Sequence, residues 1–214
     1  LHSLRRRQRQ MCIRDRFRIA TLKSSLTRKK IGLRDNDIVV GFVGRLSVEK
    51  NLINLIKAFR IVVKRIKNVK LVLIGEGPLE STLKKLVKGL GLEERVTFLG
   101  YRRDVERILP LIDVFVLPSL VEGCPIALLE AMASGKAIVA SDIEPIRDVA
   151  KEAALLVPPD DIGRLAEAIS LLCKDKNLRS LFSRKAKDIV RNFNVNSVCS
   201  RLLDVYYDVV KEST

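Results

Sequence analysis

A single histidine, His2, occurs among the 214 residues. The body of the sequence therefore holds no Ser-His-Asp or Cys-His arrangement for nucleophilic catalysis. The four cysteines, Cys12, Cys124, Cys173 and Cys199, are scattered without paired metal-ligand spacing, and read as free thiols of a reducing compartment. No apolar run approaches the roughly 20 residues that span a bilayer. There is no internal repeat and no Gly/Ser linker to mark a domain boundary. With 47% hydrophobic residues, the chain is expected to fold as one compact unit.

Acidic residues are nearly missing from the opening. Residues 1–30 carry eleven Lys and Arg against Asp15 alone, a net +10, which leaves +5 of the total +15 for the other 184 residues. A nucleic-acid binder loses most of its charge argument on that division, and no nucleic-acid partner is expected. The segment LHSLRRRQRQMCIRDRFR has no initiator Met and no apolar stretch of a signal peptide. Residues 1–18 are read as a non-native or disordered basic segment, resembling translated linker sequence at the end of a truncated reading frame. The alternative is a genuine basic arm for RNA or an anionic membrane. Residues 19–36 are read as a linker remnant.

Short β-branched runs at 38–43, 70–75, 95–100, 114–117, 137–141 and 153–157 alternate with helical patterns. Near-continuous apolar runs such as IVVGFV and KLVLIG imply strands buried on both faces, as in a parallel sheet covered by helices. Leu52, Leu55, Ile56, Phe59, Val62, Val63 and Ile66 recur at helical spacing, and a second helix is expected over 78–90, ending near Gly89 and Gly91. Strands separated by helices of this length form right-handed crossovers, so the expected fold is α/β, a Rossmann-like doubly wound parallel sheet of about six strands. A helical C-terminal segment follows, with Asp160 or Asp161 capping a helix to Leu172 and further helices over 178–190 and 195–210.

In such a sheet, ligands bind outside the carboxyl ends of the strands, near the switch in strand order. Three loops reach that edge. In the first, Gly44 to Lys50, the cations Arg45 and Lys50 flank a turn and are suited to clamp a diphosphate, Arg45 as a planar fork and Lys50 as a point charge. The second is Gly75-Glu76-Gly77-Pro78, which lacks the third glycine of a dinucleotide fingerprint, so a plain turn is the better reading. The third contains LVEGCPIALLEAMA, where Glu122 and Glu130 lie eight residues apart across a loop-to-helix junction. Pro125 suits the first position of a helix, and that helix start offers N–H groups and the positive end of a dipole to an anion. Each residue also has a plain reading: solvated charges at Arg45 and Lys50, a dipole-complementing Glu122, a surface Glu130, and a Cys124 that packs as a small residue. Asp35 and Asp37 form a DxD string ahead of the first strand, at the wrong edge, and read as a turn.

FVGRLSVEKN, LVLIGEGP, VTFLGYRRDV, VFVLPSLVEGCPIALLEAMASGKAIVAS and ALLVPPDD, in this order, resemble the C-terminal half of family 4 glycosyltransferases, also called glycosyl transferases group 1. The resemblance covers residues 31–173; an E-x7-E motif matches Glu122 to Glu130 and G-R-L-x-x-E-K matches Gly44 to Lys50. It implies one half of a GT-B enzyme, with residues 37–214 as the nucleotide-sugar-binding domain. By that match Arg45, Lys50 and Glu122 are the catalytic residues, the two cations holding the diphosphate and Glu122 the hydroxyls of the transferred sugar. The N–H groups of Gly123, Cys124 and Ile126 face the sugar or phosphates, Glu130 accepts from the ribose, and Gly44, Gly75 and the Tyr101–Arg102 turn border the donor and its base.

Members of this family transfer sugar with retention and without a divalent metal, so neither metal nor cofactor is expected; the nucleotide-diphosphate sugar is the substrate. The partners implied are that donor, an N-terminal acceptor-binding domain absent from this chain and, if the acceptor is a lipid, a peripheral membrane contact. The expected location is cytoplasmic, at or near the inner face of the membrane. Without the acceptor domain, the chain is expected to bind donor weakly and not to transfer sugar alone. A non-catalytic nucleotide-sugar module and another GT-B-type enzyme, such as a nucleotide-sugar epimerase, remain as alternatives.

Overall fold

The computed structural model describes residues 26–150 and 152–191. The basic opening, His2, Cys12, Cys199 and the helix expected over 195–210 lie outside them. Six strands, β1 (Ile38–Val43), β2 (Val69–Ile74), β3 (Val96–Phe98), β4 (Val114–Leu117), β5 (Ala137–Ser141) and β6 (Ala154–Val157), form one sheet in the order β3-β2-β1-β4-β5-β6. Every pairing is parallel, as the apolar runs require. β4 and β5 are buried at every position, which explains why they show no polar alternation. The order reverses between β1 and β4, so the connections leave these neighbours in opposite directions and open a crevice above their carboxyl ends.

Seven helices are described: α1 (Leu52–Arg65), α2 (Glu80–Gly89), α3 (Val105–Ile108), α4 (Ile126–Ala133), α5 (Glu144–Ala150), α6 (Ile162–Lys174) and α7 (Lys176–Val190). α1 packs on α2 and α6 over one face of the sheet, while α4 and α5 pack on α7 over the other. Leu52, Leu55, Ile56, Ala58, Phe59 and Val62 form the buried stripe of α1, the 3.6-residue period of its sequence made physical. Asp161 caps α6 by accepting from the Arg164 N–H at 2.8 Å, and Asp175 caps α7 by accepting from the Leu178 N–H at 2.9 Å. Each such cap stabilises its helix by about 1 kcal/mol. Asn51 opens α1 differently. It sits in the left-handed region at φ 52°, and its side chain donates to the Pro159 carbonyl at 2.8 Å, tying the loop after β1 to the loop after β6.

Two expectations need correction. The strand expected over 95–100 is confined to Val96–Phe98, because the chain turns away at Gly100 (φ 62°), whose carbonyl accepts the Gly75 N–H at 2.8 Å. The stretch expected as a linker, 19–36, belongs to the folded body where it is described. Ile31 and Leu33 are buried, and the Arg28 guanidinium donates to the carbonyls of Leu111 and Asp37 and to Asp113 Oδ2 at 2.8 Å. Asp37 makes the turn expected of it, accepting the Arg34 N–H at 2.8 Å. Cys173 is buried in α6, which pushes its thiol up to about 12.

The same amino edge of the sheet holds a half-buried amine. Lys136, just before β5, donates to the carbonyls of Pro110 at 3.2 Å and Ile112 at 3.1 Å. Burial pulls its pKa down to about 8, with Lys187 and Arg28 adding to the fall and Asp113 opposing it. Between about pH 8 and the unfolded value of 10.5, the unfolded chain therefore binds more protons than the folded one, and stability rises with pH across that window. Denaturant midpoints measured from pH 7 to 10.5 should show this rise in the native chain and lose it in Lys136→Met; an unchanged profile in the variant contradicts the assignment.

Candidate functional site

The loops after β1 and β2 are pressed together backbone to backbone. The Gly44 N–H donates to the Ile74 carbonyl at 3.0 Å, the Leu46 N–H to Glu76 at 2.9 Å, and the Leu79 N–H to Leu46 at 3.0 Å. A Cβ on Gly75, whose φ is +133°, would lie 1.9 Å from the Gly44 carbonyl oxygen, and one on Gly77 would lie 2.4 Å from that of Leu46. These glycines are thus required by the close approach of the two loops. Leu46 is fully buried beneath the junction, so the exposed Arg45 beside it is held on a fixed backbone.

Across the switch point the first loop meets the loop after β4. The Leu120 N–H donates to the Glu49 carbonyl at 2.8 Å. Beside that bond, Lys50 Nζ lies 2.6 Å from Glu122 Oε1, with side-chain exposures of 18% and 8%. The hydroxyl of Ser119, itself fully buried, donates to the same oxygen at 2.7 Å. A charge pair this sheltered is costly to desolvate, and its hydrogen-bond partners fix the carboxylate in one place. On the rim, the Ser47 hydroxyl donates to Glu49 at 2.6 Å and holds that exposed carboxyl below its ordinary range.

α4 begins one residue later than its sequence suggests. Pro125 precedes the helix with φ −79° and ψ 71°, outside helical values, and its carbonyl accepts from the N–H groups of Leu128 and Leu129. The Ile126 N–H turns back to the Cys124 carbonyl at 2.9 Å. That bond removes Ile126 from the N–H groups expected to face a ligand. Gly123 and Cys124 lie exposed in the loop ahead of it, so Cys124 is not the packed small residue expected. Glu130, in the second turn, is 7% exposed, which sets aside its reading as a surface residue of an amphipathic helix.

Above the carboxyl ends of β1, β2 and β3 lies a cavity of about 470 Å³, bordered by Gly44, Arg45, Gly75, Glu76, Tyr101 and Glu130. That volume is within the range of about 300–1,000 Å³ usual for small-molecule sites. Glu76 Oε1 accepts the Tyr101 N–H at 3.2 Å. Arg102, also on the wall, is held by two bonds of 2.8 Å to Asp104. This pairing raises the Arg102 pKa and lowers that of Asp104. Of the residues singled out in the sequence, Gly44, Arg45, Gly75, Tyr101 and Glu130 share this cavity. Lys50 and Glu122 do not border it; they are joined to each other, on the two loops that meet at the switch point. Sequence reasoning missed Ser119, which follows the fourth strand with no local signal, and the bracing role of Glu76, whose only sign is its place between two glycines.

Comparison with known proteins turns this geometry into a family. The model for Glycosyl transferases group 1 matches residues 24–189. The chain belongs to that family. Among similar group 1 glycosyltransferases is the UDP-Gal:alpha-D-GlcNAc-diphosphoundecaprenol alpha-1,3-galactosyltransferase of Escherichia coli, 32% identical over 92% of this chain and 52% of its own length. An N,N'-diacetylbacillosaminyl-diphospho-undecaprenol alpha-1,3-N-acetylgalactosaminyltransferase of Campylobacter jejuni is 38% identical over 54% of this chain and 31% of its own. The fold matches HepE of Anabaena in complex with UDP, with a TM-score of 0.78 and 25% identity over 85% of this chain and 51% of that one. This group 1 glycosyltransferase chain spans about half the length of the curated relatives it matches. Among the described residues, no helix is long and apolar enough to cross a membrane.

The Lys50–Glu122 pair has a measurable signature. Lys50→Met leaves the Glu122 carboxylate sheltered without its cation and should lower stability by on the order of 3 kcal/mol. The double variant Lys50→Met/Glu122→Gln should recover much of that loss in chemical denaturation, since the unpaired charge is gone. Additive losses would show that the two side chains do not interact.

Proposed function

We propose that this chain is the donor-binding half of a retaining glycosyltransferase that moves a sugar from a nucleotide-diphosphate sugar to an acceptor in glycan, glycolipid or cell-envelope synthesis. The observation that carries the reading is the position of Arg45, exposed on a backbone fixed by the glycine junction and bordering the same cavity as Glu130. In this reading the Arg45 fork grips the diphosphate, with Lys50 as second cation, Glu122 meets the hydroxyls of the transferred sugar, and Glu130 accepts from the ribose. Gly75 and Tyr101 border the base. A uridine diphosphate sugar is the donor of choice, because the E. coli relative is named for UDP-Gal and HepE was solved with UDP.

As the glycosidic bond breaks, negative charge grows on the departing diphosphate. Fixed cations and the start of α4 stabilise that charge without reorganising, and are proposed to do so in place of a divalent metal. The DxD string at Asp35 and Asp37 is at the opposite edge of the sheet, with Asp37 engaged by the Arg34 N–H. Because the relatives are about twice as long as the stretch matched, an acceptor-binding domain is proposed to face this edge. A lipid-linked acceptor, of the kind for which the E. coli and C. jejuni relatives are named, would bring the protein to a membrane surface.

Calorimetric titration tests the reading. UDP should bind the native chain, and Arg45→Ala should weaken UDP roughly 10- to 100-fold, the worth of a hydrogen bond to a charged group, while hardly affecting uridine. Equal loss for UDP and uridine, or no loss for either, would overturn the role given to Arg45.

A further inference from the structure

Between Lys50 and Gly75 the chain carries seven Lys and Arg and not one Asp or Glu. Lys50 serves the site above; Lys57, Arg60, Lys64, Arg65 and Lys67 are all exposed on or just beyond α1. Lys57, Arg60 and Lys64 recur at i, i+3 and i+7, so they form one row along the outer side of the helix, about 10 Å long. The half-buried Ile53 and Ile61 lie on that same side. None of the five cations takes part in an ion pair among the described residues. The neighbouring α2 also carries exposed Lys85 and Lys88.

We infer that the outer face of α1 is a docking surface for an anionic lipid bilayer. A row of cations without ion-pair partners among the described residues, flanked by the partly exposed edges of core-packed Ile53 and Ile61, matches negatively charged headgroups above an apolar interior. Single-stranded nucleic acid is the poorer fit, because its bases need aromatic platforms and Phe59, the aromatic residue of α1, is fully buried. The assignment names the surface for the membrane contact proposed above, yet it stands on charge placement alone and needs no donor.

Co-sedimentation with vesicles of phosphatidylcholine, with or without phosphatidylglycerol, tests it. The full chain is used with Arg5, Arg6, Arg7 and Arg9 replaced by Ser, so that its opening segment does not dominate. Binding should require phosphatidylglycerol and weaken with salt. Each basic residue near such a surface contributes about fivefold, so Lys57→Gln/Arg60→Gln/Lys64→Gln should weaken binding roughly 10²-fold. The control Lys176→Gln/Arg184→Gln/Lys185→Gln removes as much charge from α7 on the other layer and should retain most of the binding. Equal loss in both variants, retention in the first, or tighter binding of the parent to single-stranded RNA than to the vesicles would overturn the inference. Circular dichroism and UDP titration of each variant separate these outcomes from misfolding and from failure of the donor site.

Discussion

The ammonium of Lys50 and the carboxylate of Glu122, 2.6 Å apart, join the two loops that leave the sheet on either side of its reversal in strand order. Without that contact the loops after β1 and β4 would be linked at this point chiefly by the bond from the Leu120 N–H to the Glu49 carbonyl. Taking two charges out of water costs several kcal/mol each, and mutual attraction largely offsets the cost. The net contribution to stability is therefore small, whereas removal of one partner is expensive. Such a pair acts mainly by position: it sets the separation of the loops and, with the Ser119 hydroxyl, holds Glu122 still.

The cavity beside it depends on a second constraint, the meeting of backbones at Gly44 and Gly75. No side chain fits at Gly75, so peptide forms that part of the lining, and Arg45, Glu130 and the Glu76-braced Tyr101 turn border the same cavity. A pairing of opposite charges at the switch point also bears on binding. In the proposed reading, an arriving diphosphate competes with Glu122 for Lys50 and meets Arg45 as the unburied cation.

Burial on both faces made the strands legible in the sequence. The apolar runs at β1 and β5 end where the strands end, because the turns that follow reach water, whereas β4 runs on into buried Pro118 and Ser119. β3 was overestimated, since its last residues continue the bonding to β2 while Gly100 already turns away. Helix stripes were equally plain, and the cap of α6 was narrowed to Asp160 or Asp161, of which Asp161 makes the bond. What local pattern does not carry is contact between distant segments. Nothing near Lys50 points to a partner 72 residues away, and Gly75 and Gly77 read as a turn because the backbone they admit belongs to another loop. The Pro125 helix start failed for a related reason: the Ile126 N–H found a nearer acceptor in the Cys124 carbonyl. Placing Arg45 and Glu130 on one cavity required the sheet order, which the alternation of strands and helices suggested but did not number.

A crystal structure of the chain with UDP is the most direct measurement of the central claim, that the carboxyl edge at the β1–β4 switch point receives a nucleotide diphosphate. The account predicts the diphosphate within hydrogen-bond distance of Arg45, beside the Lys50–Glu122 junction, with the uracil toward Gly75 and Tyr101. A nucleotide bound at the amino edge near Lys136 and Asp113, or one that touches neither Arg45 nor Lys50, would contradict it.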